Sequence, residues 1–556
     1  MSDGKAGASD SRPRSAWKSA SPAILVAALL LIPFYHKAFT IDDTLFLKQA
    51  SQVLKDPLHP TAFSTVWSEA PVPLRMSAIM PSGPVMAYLL VPSILLDGAE
   101  WAAHLAVLAT MFLALLATAS LALRLGLDEA GARWAALLLA CTPSAIGMAA
   151  TAMPDVPAMA FGVLGLERAL AFRQDRRWHQ AALSALGLAL GAMARPHAIL
   201  LVAVAGLLFL VQGGSLRDRI RGAGTAWLPL LAAPLLFLAV LVVMRDPASG
   251  AGASALAAET FSALAFVRSN LVAYAVHWVL VIPLALPWTV MRWKRLIRGP
   301  VLYIGAAAGT VAVALATEFH GYAPIVGPIA GLGLAVLWDV FADARTRRDR
   351  LQGALGAALM VPLPIVAYLH LPSKYLLVSA PAAAILVVRA LRARGPRFAR
   401  PVLATTLVLG AALGLLIVRA DADFAGLARR ATAEWIAPRV AEGKRVWFSG
   451  NWGFQWYAEK AGARPLTISP PLPYAGDFAV ADLDAFGFRI LERNDLATLA
   501  AMTEGKPGGR IIAPQQCTGF YSNGWGFLPW TWSSKVHKRF VLFQFVSRRR
   551  DLPPPK

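Results

Sequence analysis

Two adjacent carboxylates, Asp42 and Asp43, stand in the stretch Thr40-Ile41-Asp42-Asp43-Thr44, where a first apolar run ends and a long polar loop begins. Anchoring a helix requires neither of them, and an ionisable group at a bilayer boundary is costly unless it pairs, binds or reacts. Other reactive residue types recur at the ends of later apolar runs: Asp155 after Met153-Pro154, Arg195 and His197, Glu318, His320 and Tyr322, then His370, Lys374 and Tyr375. Arg75 lies in the first loop. Carboxylates in such a set supply a general base or a metal ligand, while Arg, Lys and Tyr clamp phosphate oxygens. Each residue also has an ordinary explanation. Asp155, between Pro154 and Pro157, can serve as a helix N-cap; Arg195 can snorkel and Lys374 can mark a membrane boundary. Their gathering on one face of the membrane is what favours a site.

The elements that would gather them follow from composition. Of 556 residues, 57% are hydrophobic and 15% charged, against roughly a quarter charged in soluble domains, so the chain reads as an integral membrane protein. Apolar runs near the roughly 20 residues that cross a bilayer lie at 20–39, 101–123, 133–153, 156–172, 178–194, 196–212, 224–244, 271–291, 300–317, 323–342, 351–369, 375–390 and 401–419, about thirteen spans. The run 83–96, interrupted by Pro92, reads as a helix lying at the interface. The basic N-terminus with an uncleaved first helix is read as cytoplasmic.

With that orientation the basic clusters at 124–133, 173–177, 217–221, 292–298, 345–350 and 389–400 all fall on the cytoplasmic side. The net charge of +21 is therefore topogenic, and a nucleic-acid partner is excluded. The opposite face collects the loop 40–100, Asp155, Arg195, His197, His320, His370, Lys374 and Tyr375. Cys141 and Cys517 are too far apart in character to pair, so no disulfide is expected.

After residue 419 the pattern changes. An amphipathic helix at 423–440, strands at 445–448, 478–480, 511–512 and 540–545, and a helix at 453–461 make a small α/β domain on the outer side. The fold class is thus mainly α: a polytopic helical membrane protein with a small C-terminal extracytoplasmic α/β domain. The expected division is a basic tail at 1–19, a transmembrane catalytic domain at 20–419 with its outer loop at 40–100, and the outer domain at 420–556, ending in a basic tail at 548–556.

The acidic pair after the first helix, the segment Met80-Pro81-Ser82-Gly83-Pro84, the second Asp after Pro154 and the outer stretch His370-Leu371-Pro372-Ser373-Lys374-Tyr375 resemble the GT-C glycosyltransferases. Within them the chain is most similar to the branch of protein O-mannosyltransferases, lipid A aminoarabinose transferases and rhizobial lipopolysaccharide glycosyltransferases. The segments 446–457 (VWFSGNWGFQWY) and 519–530 (GFYSNGWGFLPW) resemble the outer domain of bacterial members. The resemblance implies inverting transfer of a sugar, hexosyl or pentosyl, from a polyprenyl-phosphate donor to a lipid, glycan or protein acceptor at the outer leaflet of a bacterial inner membrane. It assigns Asp42 as catalytic base, Asp43 and Asp155 as further pocket acids, and Lys374, Tyr375, Arg195 and His370 as donor-phosphate contacts. Arg75, His197 and His320 would support them. Where relatives carry Lys or His before the loop prolines this chain has Met80, which leaves open a divalent metal held by Asp42 and Asp155. The main rival is a transporter or lipid-linked-glycan flippase, which would show internal repeats and midplane charges; neither is visible here.

Overall fold

The computed structural model describes residues 6–67, 72–80, 83–211, 215–248, 264–315, 318–468, 470–484, 495–503, 507–535 and 538–546. Pro81 and Ser82 of the loop motif and the basic tail at 548–556 lie outside the described residues. All thirteen apolar runs contain helix. The principal helices are α1 (Ala6–Leu31), α2 (Asp43–Val53), α3 (Glu100–Arg124), α4 (Glu129–Ala140), α5 (Pro143–Ala149), α6 (Asp155–Asp175), α7 (Trp178–Ala194), α8 (Leu201–Leu210), α9 (Leu228–Val243), α10 (Leu264–Leu280), α11 (Ala285–Leu296), α12 (Pro300–Ala314), α13 (Ala323–Thr346), α14 (Arg350–Leu359), α15 (Ala380–Arg392) and α16 (Pro396–Ala431).

Among the described residues, seven helices are long and apolar enough to cross a membrane, or up to nine if two bent pairs each count as one span. The expectation of about thirteen is not reached by that measure. Helix α6 carries Glu167, Arg168 and Arg173, with Glu167 buried against Arg124 at 2.5 Å; α7, the run Pro196–Leu210 and α12 are short. The pair α4 and α5 bends by 61° and the pair α10 and α11 by 95°. Each break carries a proline, Pro143 or Pro283, which cannot donate the helical backbone hydrogen bond. The run 83–96 is two short helices, Val85–Leu89 and Val91–Leu95.

Small residues let the helices approach closely. Across α12 and α13, a Cβ at Gly331 would collide with the backbone of Ala306, and one at Gly327 with Thr310. Between α6 and α7, Gly165 and Gly187 face each other in the same way. In a bilayer, where lipid is as apolar as Leu, such backbone contact is a main source of helix association.

The C-terminal part holds a five-stranded sheet of β1 (Val446–Ser449), β2 (Arg464–Pro465), β3 (Phe478–Asp482), β4 (Leu496–Thr503) and β5 (Arg539–Phe545), in the order β2-β1-β3-β5-β4. The strands β1, β2 and β3 run parallel, and β5 pairs antiparallel with β3 and β4. Helix α17 (Trp452–Lys460) connects β1 to β2. The expected boundary at 419/420 falls inside α16, which runs unbroken from Pro396 to Ala431. Its last turns pack Leu427, Ala428 and Ala431 against Val446, Phe448, Phe454 and Phe540 of the sheet. In the other direction Trp452, Ile511, Phe520 and Tyr521 enter the helical core. Body and tail therefore share buried surface on both sides of the boundary.

Candidate active site

The chain leaves α1, turns through residues 32–41 and enters α2 with Asp42 at its N-cap position. Ile41 sits at φ +41°, a left-handed conformation that a β-branched residue adopts only under constraint, at a cost of order 1–3 kcal/mol. The constraint is visible. The Thr40 backbone N–H donates to Asp43 Oδ2 at 2.8 Å, and the Thr40 hydroxyl donates to Asp421 Oδ1 at 3.0 Å. Thr44 donates to the carbonyl of Trp452 at 2.5 Å, and Gly453 leaves no room for a Cβ against the carbonyl of Phe39. The C-terminal part thus grips the loop that presents Asp42.

The two acids of the pair are used differently. Asp43 is fully buried, and its other oxygen accepts from the backbone N–H of Ala152 at 2.8 Å, tying the first loop to the turn before α6. Burial, partly offset by the charge of Lys37, raises its pKa to about 7. Asp42 makes no capping bond, although it occupies the cap position. Its Oδ2 accepts from Lys374 Nζ at 3.2 Å, with the Asp42 side chain 25% exposed and that of Lys374 2% exposed. Lys374 is therefore a buried, paired group and no mere boundary marker.

Beside them stands a second ion pair. Asp155, the first residue of α6, accepts from Arg195 Nε at 2.9 Å and Nη2 at 2.8 Å, with both residues buried. The N-cap position belongs to Pro154, so Asp155 orients Arg195 instead of capping the helix. The guanidinium lies 4.8 Å from the Tyr375 ring centroid, and Lys374 Nζ lies 5.9 Å from the same ring. His197 contacts the Tyr375 carbonyl through a ring nitrogen at 3.1 Å. His370 meets Ser522 Oγ at 3.1 Å and stands 6.1 Å from the Tyr375 ring. Burial, together with the charges of Lys374 and Arg195, pushes its pKa down to about 4, so it is neutral at physiological pH. One continuous cluster therefore brings together Asp42, Lys374, Tyr375, Arg195, Asp155, His197 and His370.

Two expected supports have other surroundings. Arg75 forms a two-point contact with Asp246, 2.9 and 2.5 Å, reinforced by Ser77 at 2.9 Å, and so ties the first loop to the one after α9. His320 is exposed on the turn that precedes α13. As for a metal, no group of three or more His, Cys, Asp or Glu side chains converges among the described residues. Both oxygens of Asp155 accept from Arg195 and Asp42 accepts from Lys374, so each acid of that pair is engaged with a cation of the chain.

Behind the cluster lies a buried hub absent from the sequence-based expectation. Asp421 accepts from Lys37 Nζ at 2.7 Å, from Tyr521 Oη at 2.7 Å and from Thr40. Lys37 has no exposed side-chain surface and Asp421 only 2%. Tyr521 also places its ring 5.8 Å from Lys374 Nζ. The available signal was an acid in the continuation of the last apolar run and a lysine just past the first, since membrane-boundary charges demand partners.

No protein-family model matches the chain, and no curated protein does. Solved structures do. The oligosaccharyltransferase of Archaeoglobus fulgidus, in complex with Zn and sulfate, is 12% identical over 84% of this chain and 68% of its own, with a TM-score of 0.45. ArnT from Cupriavidus metallidurans bound to undecaprenyl phosphate is 17% identical over 84% and 92%, with a TM-score of 0.42. The arabinofuranosyltransferase AftD from Mycobacteria is 14% identical over 97% of this chain and 40% of its own, with a TM-score of 0.44. Each is a weak likeness from which no residue role is taken.

Proposed function

We propose that the chain is a GT-C-type membrane glycosyltransferase that moves a sugar from a polyprenyl-phosphate donor to an acceptor hydroxyl, with inversion, at the outer leaflet. The observation that carries this reading is the Asp42–Lys374 contact at 3.2 Å, beside the Arg195–Tyr375 stack. Two carboxylates and two cations balance at rest. An arriving phosphodiester adds negative charge, and Lys374 is placed to turn from Asp42 to its oxygens. That movement releases Asp42 as a free carboxylate at a partly exposed point of the cluster.

The acceptor oxygen attacks the anomeric carbon while Asp42 takes its proton. The bond from that carbon to the phosphate oxygen breaks, and polyprenyl phosphate leaves with its electron pair, held by Lys374 and Arg195. A phosphate leaving group needs no general acid, so positioning, base catalysis and charge stabilisation suffice. Arg195 keeps its orientation because Asp155 holds the guanidinium from behind. No step requires a metal ion.

In this reading the sheet-bearing tail lies outside the bacterial inner membrane, on the face of Asp42. Both native cysteines are buried, so Cys517 cannot report its own side by labelling. Leu499→Cys, at an exposed position on β4, can. It is expected to react with a membrane-impermeant maleimide in intact spheroplasts; reaction only after lysis would place the tail inside. The activity is tested by mass spectrometry of lipid-linked sugars and envelope glycans in cells with and without the protein, and with Asp42→Asn. The expected result is accumulation of one polyprenyl-phosphate sugar and loss of one glycan modification. Unchanged profiles in the deletion would end the proposal.

A further inference from the structure

Helix α2 carries more than the acidic pair. Along the second half of α2 and the turn that follows it, Lys48, Ser51, Gln52 and Lys55 recur at i, i+3, i+4 and i+7, and all four line one groove. The buried residues Leu47, Ala50 and Val53 point the other way into the core. The polar stripe forms one wall of a groove of about 400 Å³, whose opposite wall is the 63–66 segment and whose end is Glu459 of α17 and Pro465 of β2. None of these residues belongs to a candidate membrane span.

The floor of the groove is built from fixed groups. Lys48 Nζ donates to Thr65 Oγ1 at 2.7 Å and to Glu459 Oε1 at 2.8 Å. Gln455 Nε2 donates to Thr65 Oγ1 at 3.2 Å, to the Val66 carbonyl at 2.9 Å and to Glu459 Oε1 at 2.9 Å. The buried Gln455 Oε1 has no hydrogen-bond partner among the described residues. Because Glu459 matches the charge of Lys48, the exposed Lys55 leaves the groove with one cation in excess. Hydroxyl, amide, amine and carboxylate groups line it, with Phe63 as its aromatic face.

We propose that this groove binds the acceptor, and that the acceptor is a water-soluble glycan carrying acidic groups. This rests on the transferase reading above. The lining chemistry suits sugar hydroxyls and an anionic substituent, and does not suit an acyl chain. The position fits as well. Lys48 lies six residues after Asp42 on the same element, about 9 Å along the helix axis. The groove and the base are thus carried by one helix, while in the transferase reading the donor lipid enters from the bilayer beside Lys374 and Arg195.

The test uses the full chain in nanodiscs, with fluorescent tetragalacturonate as acidic probe, maltotetraose as neutral probe, and photoreactive undecaprenyl phosphate as an independent donor-side probe. Wild type should bind tetragalacturonate more tightly than maltotetraose. Lys55→Glu should weaken the acidic probe at least tenfold, and Ser51→Trp, which fills the groove, should abolish binding of both. Both variants should still capture undecaprenyl phosphate. Absence of tetragalacturonate binding in wild type, binding by either variant as tight as that of wild type, or a preference for maltotetraose would each overturn the assignment. Failure of wild type to capture undecaprenyl phosphate while it still binds tetragalacturonate would instead overturn the donor reading, leaving a glycan groove without a transfer role.

Discussion

Asp42 and Asp43 are neighbours in sequence and of the same residue type, yet they belong to two different environments. Asp42 is partly exposed and pairs with the ammonium of Lys374. Asp43 faces the interior, its oxygens fixed by the backbone of Thr40 and Ala152, close to the hub of Lys37, Asp421 and Tyr521. Of two adjacent carboxylates, one is spent on fixing the loop that presents the other, which is the base in the proposed transfer. A one-residue step from the N-cap into the first helical turn carries the side chain from a partly exposed position into the core. The strained Ile41 just before that step is its conformational cost.

The sharpest way to break the comparison is to exchange charge for shape at both acids. Asp42→Asn should lose roughly two to four powers of ten in turnover. Its melting temperature should be nearly that of wild type, since a partly exposed group is changed to a near-isostere. Steady-state transfer with a purified donor measures the first and thermal unfolding the second. Turnover within a few-fold of wild type would remove Asp42 from the chemistry.

In the hub the effect should appear in stability. Asp421→Ala leaves the buried Lys37 without its counter-charge, and breaking a buried pair from one side costs about 3–5 kcal/mol. Lys37→Met combined with Asp421→Leu should recover much of that loss, because both charges are removed together. Denaturant unfolding in detergent checks both. A single variant as stable as wild type would mean that the hub does not hold the loop.

A smaller effect is expected at the phosphate clamp. Lys374 is buried against Asp42, so its removal disturbs more than an exposed lysine would, and Lys374→Met keeps the apolar stem. A charge-assisted hydrogen bond to phosphate is worth about 1.5–3 kcal/mol, so donor KM should rise roughly ten- to a hundredfold. Arg195→Lys should act in the same direction, because Lys cannot reproduce the two-point contact with Asp155. Unchanged donor kinetics in both variants would dissociate the cluster from the donor.

The smallest signal is a pH slope. The pKa of Asp43 is raised from 3.8 in the ordinary state to about 7 in the fold, chiefly by burial. Between those values the native state holds a proton that the unfolded chain has released, so stability falls as pH rises from about 4 to 7 and levels off above. Asp43→Asn should remove that slope. The test is the difference in melting temperature between wild type and variant at pH 5 and pH 8; an unchanged difference would mean that Asp43 is ionised throughout.

Much of the architecture was legible in the residues, since apolar length and Arg/Lys placement are local signals that the bilayer enforces. The short strands β1, β3 and β5 were readable for a similar reason, being β-branched or aromatic runs bounded by turn residues. Strand β4, Leu-Ala-Thr-Leu-Ala-Ala-Met-Thr, was not. Its Ala and Leu content favours a helix, and only pairing along β5 makes it a strand. The site divides the same way. Counting spans and charges offered Asp42, Asp155, Arg195, Lys374 and Tyr375 as candidates for one face, and the fold brings their side chains into one cluster.

By itself, the sequence determined the class of the protein, the helical runs and the residue types available for chemistry. Periodicity and composition act within a few turns of chain, and the bilayer reads them locally. Only the tertiary structure decided which partners those residues have. Lys37 meets Asp421 across 384 residues, Lys374 meets Asp42 across 332, and Arg75 meets Asp246 across 171. No local preference encodes such pairings, because each arises when packed helices and a returning tail bury opposite charges at one place. The difference between a partly exposed Asp42 and a buried Asp43 is of that kind: burial distinguishes them, and burial belongs to the whole fold.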